Sequence, residues 1–336
     1  MTVLEVVEAG PYTSVQDRGR FGGQRYGLGP AGAMDQLSLA VANAVVGNPV
    51  FAAAIEIAPL PARFRAVGGD IRLAMTGATR GMTIAGRAVA MNETFVLAED
   101  EVLAVRAASE GVFSTLAIEG GIRAEPVFGS LSMHARSGIG APFARALMAG
   151  DRIPVATARL REAERSIVPP ARGTGPLRVV AGPQDDHFTA EAMATLVSAS
   201  WRISATSDRM GYRLEGPVLA HSKGHNIISD GIAFGAIQVP GNGQPLVLLA
   251  DRGTTGGYPK IATIASVDLG RLAQIPVGSP VHFTLVPVAE AENLARERHA
   301  LVMGLAGAVR EVGGGALSSE FLLAANLAGA AISGED

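Results

Sequence analysis

The sequence predicts a mainly β protein with a few helices, and three observations carry that expectation. Glycine fills 42 of the 336 positions, about twice the roughly 7% share usual in globular chains. These glycines separate short apolar or alternating runs rich in β-branched residues, the pattern of strands joined by tight turns. Patterns of helical period are too few for a βαβ chain, which needs one after nearly every strand.

In chain order, strands are expected at 3–7, 71–76, 94–97, 102–107 and 113–119, several bounded by Gly, Asp or Asn. One helix is well signalled between the first two of them. Asp35 is its expected N-cap, Leu37, 39–41 and 44–46 form the apolar stripe, and Gly47 followed by Asn48-Pro49 stops it. The stretch 156–176 is charged and then rich in Pro and Gly, as a connection between domains would be. Beyond it come a strand at 177–181 and a helix over 189–197 with Thr189 as N-cap. Strands then follow at 202–205, 226–229, 232–239, 246–250 and 281–286. From Ala289 the composition turns to Ala, Leu and Glu, which predicts two helices broken at Gly313-Gly314-Gly315.

Composition narrows the function classes. Apolar residues make up 48% and charged residues 18%, so a core can form and disorder is not the main state. A formal charge of -3 argues against a polybasic nucleic-acid binder. Without cysteine there is no disulfide, thiolate nucleophile or thiolate metal site. The opening MTVLEVVEAG lacks a basic n-region, so no secretory signal is expected. The longest wholly apolar run, 300–309, is too short to span a bilayer. A cytoplasmic location, with no membrane and no nucleic-acid partner, is the expectation.

Two motifs tempt and are resisted. Gly27-Leu28-Gly29-Pro30-Ala31-Gly32 satisfies G-x-G-x-x-G, with Glu56 beyond it. A dinucleotide site needs an apolar strand before the first glycine; here DRGRFGGQRY precedes it, polar and broken by glycine. His221 and His225, with His187 earlier, suggest a metal, but that spacing shares a face only on a helix and SKGHN is no helix. No metal site is predicted. H-E-x-x-H, G-x-S-x-G and Walker A patterns are absent, so any ATP is not held through a P-loop of this chain.

Polar residues instead gather with glycines in three segments: 13–20 continuing to Asp35 and Asn48, 208–214, and 238–259. Each mixes carboxylate, guanidinium, amide and hydroxyl groups on backbone that can approach a ligand closely.

At these segments the chain resembles the biotin-dependent-carboxyltransferase-like family. That family includes the C subunit of bacterial 5-oxoprolinase, an antagonist of a sporulation-kinase inhibitor, and the carboxyltransferase domain of urea carboxylase. The residues carrying the resemblance are SVQDRGR (14–20), GPAGAMD (29–35), IE (55–56), MTGA (75–78), DRMGYRLEG (208–216), GAIQVPGNGQPLVLLADRGTTGGYPKIATI (235–264) and DLGRLAQ (268–274). It spans about 1–290 in the family's order. The resemblance implies two cyclophilin-like β-barrel domains, at 1–165 and 175–290, with a cleft between them, and a helical tail at 291–336. It implies that the polar residues of all three segments meet near that cleft. Asp17, Asp251 and Tyr258 are the expected catalytic residues, an assignment that goes beyond the resemblance. As substrate- or phosphate-binding it points to Gln16, Arg20, Asp35, Arg209, Tyr212, Arg213, Gln238, Gln244, Thr254, Thr255, Gly256 and Gly257.

The leading expectation is a subunit of an ATP-dependent 5-oxoprolinase, working with B-like and A-like subunits on a small lactam. Arginines would bind the substrate carboxylate or a phosphate, backbone N–H groups of 254–257 would cradle phosphate, and Asp251 or Asp17 would hold Mg²⁺ or orient a nucleophile. One alternative is carboxyl transfer to a urea-like amide, with biotin on another protein because this chain has no Met-Lys-Met acceptor. Another is non-enzymatic, an antagonist of a kinase inhibitor.

Overall fold

A computed structural model describes residues 1–158 and 163–312. Apart from two two-stranded ribbons, its strands form two antiparallel sheets in the first half and one large sheet in the second. The six-stranded sheet runs Arg152–Pro154, Val3–Glu8, Ala62–Val67, Val102–Val105, Met82–Ile84, Arg87–Val89; the five-stranded sheet runs Ser14–Gln16, Ala54–Ile57, Glu110–Ile118, Ile71–Thr79, Thr94–Leu97. Period-two alternation explains why these segments are strands: Ala62, Phe64 and Ala66 point inward while Arg63 is exposed. Leu4, Ile55, Phe64, Leu73, Leu103 and Leu116 interlock in the first-half core, each fully buried. Each such side chain contributes roughly 1.5–3 kcal/mol through apolar area removed from water.

In the second half eight strands pair in the order Pro280–Val281, Trp201–Ile203, Gly211–Glu215, Leu246–Leu248, Ala236–Gln238, Lys260–Ile264, Leu177–Ala181, Phe283–Leu285. The two edge strands are separated in the chain only by His282, so the sheet nearly closes on itself as a barrel. Within this sheet the Leu177–Phe283 pairing is parallel and the others are antiparallel. Trp201 fills the interior, its indole N–H donating to Leu196 O at 3.0 Å. This core also takes in Met34, Ala58 and Phe113 from the first half, so apolar packing continues across the junction.

Among the described residues four α-helices accompany the sheets: α1 Gln36–Val45, α2 Ala190–Ser198, α3 Leu269–Ala273 and α4 Val288–Met303. Asp35 and Thr189 cap α1 and α2 as expected, accepting from Ser38 N at 3.2 Å and Ala192 N at 3.1 Å. α4 is mostly exposed, but Val302 at its end packs on the α1 cluster. The second predicted tail helix, beyond Gly313, lies outside the described residues.

Several expectations need correction. Residues 226–229 form no strand; the short strand there is Asp230–Gly231. The predicted run 232–239 shrinks to Ala236–Gln238, because Gly235 takes φ +86° in a turn. The run 281–286 divides at His282 into the two barrel edges. Strand Gly211–Glu215 largely coincides with a segment whose polar residues suggested a site rather than a strand, and strand Lys260–Ile264 directly follows another such segment.

One residue at the C-terminus of α3 ties the halves together. Gln274 Oε1 accepts from Val112 N at 2.8 Å and Phe113 N at 3.1 Å, while its Nε2 donates to Phe113 O and Asp35 Oδ2, both at 2.7 Å. Gln274→Leu strands two backbone N–H groups in a half-buried position. It is expected to cost about 1–3 kcal/mol, read by denaturant unfolding. An unchanged unfolding midpoint would show that Gln274 does not hold the junction.

Candidate functional site

The first polar segment turns inward. Gln16 Nε2 donates to Ser14 Oγ at 3.0 Å and Met133 O at 3.1 Å. The Asp17 carboxylate accepts from Gly19 N, Ser130 Oγ and Leu131 N, each at 2.7 Å, and from Ser132 Oγ at 2.5 Å. Arg20 is buried and donates to Ser132 O. Burial lowers the Arg20 pKa, against the pull of Asp17 and Asp251. Asp35, besides capping α1, pairs with Arg172 Nη2 at 2.6 Å. These four residues hold the 17–35 loop in shape and against its neighbours.

Arg209 sits at the centre of the junction with 4% of its surface exposed. Its Nε and Nη2 grip the two oxygens of Asp251 at 3.0 Å each, Nη2 also donates to Gly32 O at 2.8 Å, and Nη1 donates to Glu56. Glu56 accepts from Met34 N through its other oxygen at 2.7 Å. One guanidinium therefore faces two buried carboxylates. Burial pushes the Glu56 carboxyl up to about 7, although Arg209 and the Met34 N–H act against it, with Asp251 and Asp35 adding to the rise. Burial alone would lower Arg209, but Asp251 and Glu56 together raise it above the ordinary arginine value. Tyr212, whose OH donates to Ala273 O at 3.3 Å, is pushed up by burial and the Glu56 charge.

A pH dependence follows from Glu56. A folded pKa raised from 4.5 to about 7 means the folded chain holds this proton more tightly than the unfolded chain. Between those values stability falls as pH rises. Glu56→Gln removes that dependence, so unfolding midpoints of variant and wild type should diverge across the window, the wild type dropping more toward its upper end. Parallel pH profiles would contradict the shift.

The second and third segments meet in a cavity of about 350 Å³. Asp208, Met210 and Arg213 line it from one side; Gln238, Thr255, Gly256, Gly257 and Tyr258 line it from the other, with Arg252 between. Arg136 reaches in from the first half, its Nη1 3.9 Å from Met210 Sδ. Gln24 joins the same region, donating to Thr254 O at 3.1 Å and Ile232 O at 2.8 Å. At Gly256 a Cβ would lie 2.6 Å from Gln238 Nε2 and 2.8 Å from Ile232 Cδ1, so both side-chain ends would have to shift to admit one. Gln238 Nε2 also donates to Tyr258 O at 3.2 Å. Exposed Arg213 and Arg136, with the Thr255 and Tyr258 hydroxyls, can hold an anion and polarise a carbonyl.

The structure thus gathers Arg213, Gln238, Thr255, Gly256, Gly257 and Tyr258, and it leaves Gln16, Asp17, Arg20, Asp35, Arg209, Tyr212 and Asp251 in supporting positions. Gln244 clasps the backbone of Gly216, accepting from its N–H and donating to its O at 3.0 Å each, beside a separate cavity of about 160 Å³. Three chemical expectations do not fit. Asp17 and Asp251 are committed to four donors and to a bidentate arginine, so neither is free to hold Mg²⁺. Residues 254–257 form no anion nest: Thr255–Gly256 is a strand paired with Asp230–Gly231, and neither Gly256 nor Gly257 takes positive φ. The arginine expected to meet substrate, Arg209, is buried in its own ion pairs. Among the histidines, His221 bonds Val239 O at 3.0 Å, with its ring 6.2 Å from that of His225. Among the described residues no group of three His, Cys, Asp or Glu side chains is arranged for a metal.

Sequence reasoning missed Arg136 and Arg252, which line the cavity, and the buried Lys260. Lys260 is buried at 3% exposure with its Nζ 2.8 Å from Asp230 Oδ2. A cation opening a largely apolar strand, K-I-A-T-I, was the available signal. Arg252 directly follows Asp251, but nothing local says that it faces a cavity.

Residues 26–285 match the family model described as carboxyltransferase domain, subdomain A and B. The chain is 37% identical over 291 residues to the C subunit of 5-oxoprolinase from Escherichia coli, covering 86% of this chain and 93% of that one. Among solved structures it resembles TTHA0988 at TM-score 0.76 and 33% identity, covering 84% of this chain and spanning 56% of that protein. It also resembles the Kluyveromyces lactis urea carboxylase at TM-score 0.81 and 26% identity, covering 92% of this chain and spanning 30% of that longer one. No helix among the described residues is long and apolar enough to cross a membrane.

Proposed function

This chain belongs to the carboxyltransferase-domain family of subdomains A and B, and on that premise we propose that it is the C subunit of an ATP-dependent 5-oxoprolinase. The observation that carries this reading is the nearly end-to-end match with the Escherichia coli 5-oxoprolinase chain, covering 93% of that protein. The complex opens the 5-oxoproline lactam to L-glutamate at the expense of ATP, in the cytoplasm, together with A-like and B-like subunits. Opening the lactam is uphill unless the amide is activated; phosphorylation of its oxygen makes the ring carbon electrophilic.

In this reading the cavity at Arg213 and Tyr258 holds the lactam. Arg136 and Arg213 take its carboxylate, and the Thr255 and Tyr258 hydroxyls donate to the amide oxygen. Asp251, Arg209 and Glu56 act as a buried clamp that fixes the loops bearing those groups. Mg²⁺ and ATP phosphates are held by other subunits, because the carboxylates expected to hold the metal are already committed. The likeness to the Kluyveromyces lactis urea carboxylase favours one second reading: the same cavity polarises a urea-like amide, and biotin arrives on another protein.

The test is ADP release. The isolated chain should neither hydrolyse ATP nor open 5-oxoproline, and A-like and B-like subunits should need it for turnover. Robust 5-oxoproline-dependent ADP release by the chain alone would sink the reading.

A further inference from the structure

A second cavity, of about 310 Å³, lies between the 18–34 stretch, the start of α1, α3 and the 295–302 stretch of α4. Phe21, Phe51 and Phe234 give it flat apolar walls. Its charge is one-sided: five arginines and a histidine line it, and no aspartate or glutamate does. Two of the arginines are neutralised, Arg172 by Asp35 at 2.6 Å and Arg271 by Asp268 at 2.9 Å. The other three, Arg18, Arg252 and Arg298, have no carboxylate within ion-pair distance among the described residues. Arg18 stacks over Phe21 and Phe51, 5.4 and 5.0 Å from the ring centres.

Arg252 makes this a built site. It is only 6% exposed, and its guanidinium is met by the neutral carbonyls of Ile232 and Leu249 at 3.1 and 3.2 Å and by the Phe234 ring at 5.4 Å. Buried cations are normally paired, and burial here lowers Arg252 to about 10. Arg298 is lowered by burial and by the nearby Arg172 charge, against the pull of Asp35 and Asp268. Three guanidiniums without a carboxylate in ion-pair contact, around an aromatic-walled hollow of ligand size, describe a receptor for a particular chemistry.

We propose that this cavity is a second ligand site, specific for an organic anion with a flat apolar body. The anionic head meets Arg18, Arg252 and Arg298, and the body lies against the three phenylalanine rings. Phosphate- and carboxylate-headed molecules share that chemistry. Arg252 also lines the cavity of Arg213 and Tyr258, so an occupant here contacts a residue of the neighbouring site.

Anilinonaphthalene sulfonate, an aromatic anion, is the probe. Titrated into the full chain and followed by fluorescence, it should bind saturably at one site per chain. The Arg18→Ala/Arg298→Ala double variant loses no ion pair among the described residues, so its melting point should match wild type while probe affinity falls about tenfold or more. Arg213→Ala, in the other cavity, should leave probe binding intact, so this result stands apart from the proposed enzymatic role. Displacement by ADP assigns a phosphate-headed ligand, and displacement by benzoate a carboxylate-headed one. No saturable binding, equal binding by the double variant, or failure of both competitors would overturn the proposal.

Discussion

Arg209→Ala should lower stability by about 3–5 kcal/mol, the cost of leaving buried carboxylates without their cation. The substitution removes four hydrogen bonds at once and leaves Asp251 and Glu56 facing each other across the junction. Sequence alone suggested the opposite, that Arg209 would matter to ligand more than to folding. Exposed arginine pairs contribute little to stability, but this one is enclosed at the junction. Arg209→Lys should recover only part of the loss, since an ammonium cannot make the bidentate contact to Asp251. Thermal or denaturant unfolding reads both variants. A wild-type midpoint for Arg209→Ala would show that the cluster does not hold the halves together.

Arg136→Ala and Arg213→Ala should behave the other way. Both side chains are exposed and engage no carboxylate among the described residues, so melting should not change. Each would remove a charge-assisted contact to the substrate anion, contributing about 1.5–3 kcal/mol. In the assembled complex, kcat/KM for 5-oxoproline should fall about 10- to 100-fold, since each 1.4 kcal/mol is a factor of ten. An unaltered kcat/KM for both would move the substrate out of this cavity.

Much of the fold was legible because its signals are local. The Asp35 and Thr189 caps marked the first two helices, and strands such as Thr94–Leu97 and Leu177–Ala181 stood at their expected places. The misses have two causes. In Gly211–Glu215 the outward residues are Arg213 and Glu215, so a half-exposed strand looked like a polar loop. Turn geometry at Gly235 shortened another strand, which no apolar count can foresee. For the site, glycine and polar clustering found the segments that do converge, 208–213 and 253–258. It could not tell a charge that faces ligand from one that faces another charge. Arg209 finds Asp251 across 42 positions and Glu56 across 153, a pairing only the folded chain displays.

The most direct test of the account is product analysis of the reconstituted mixture. With this chain, its A-like and B-like partners, ATP, Mg²⁺ and 5-oxoproline, L-glutamate and ADP should accumulate in equal amounts, and both should vanish when this chain is left out. Undiminished glutamate formation without the chain would contradict the account. So would a chain that carboxylates urea from carboxybiotin while leaving 5-oxoproline untouched.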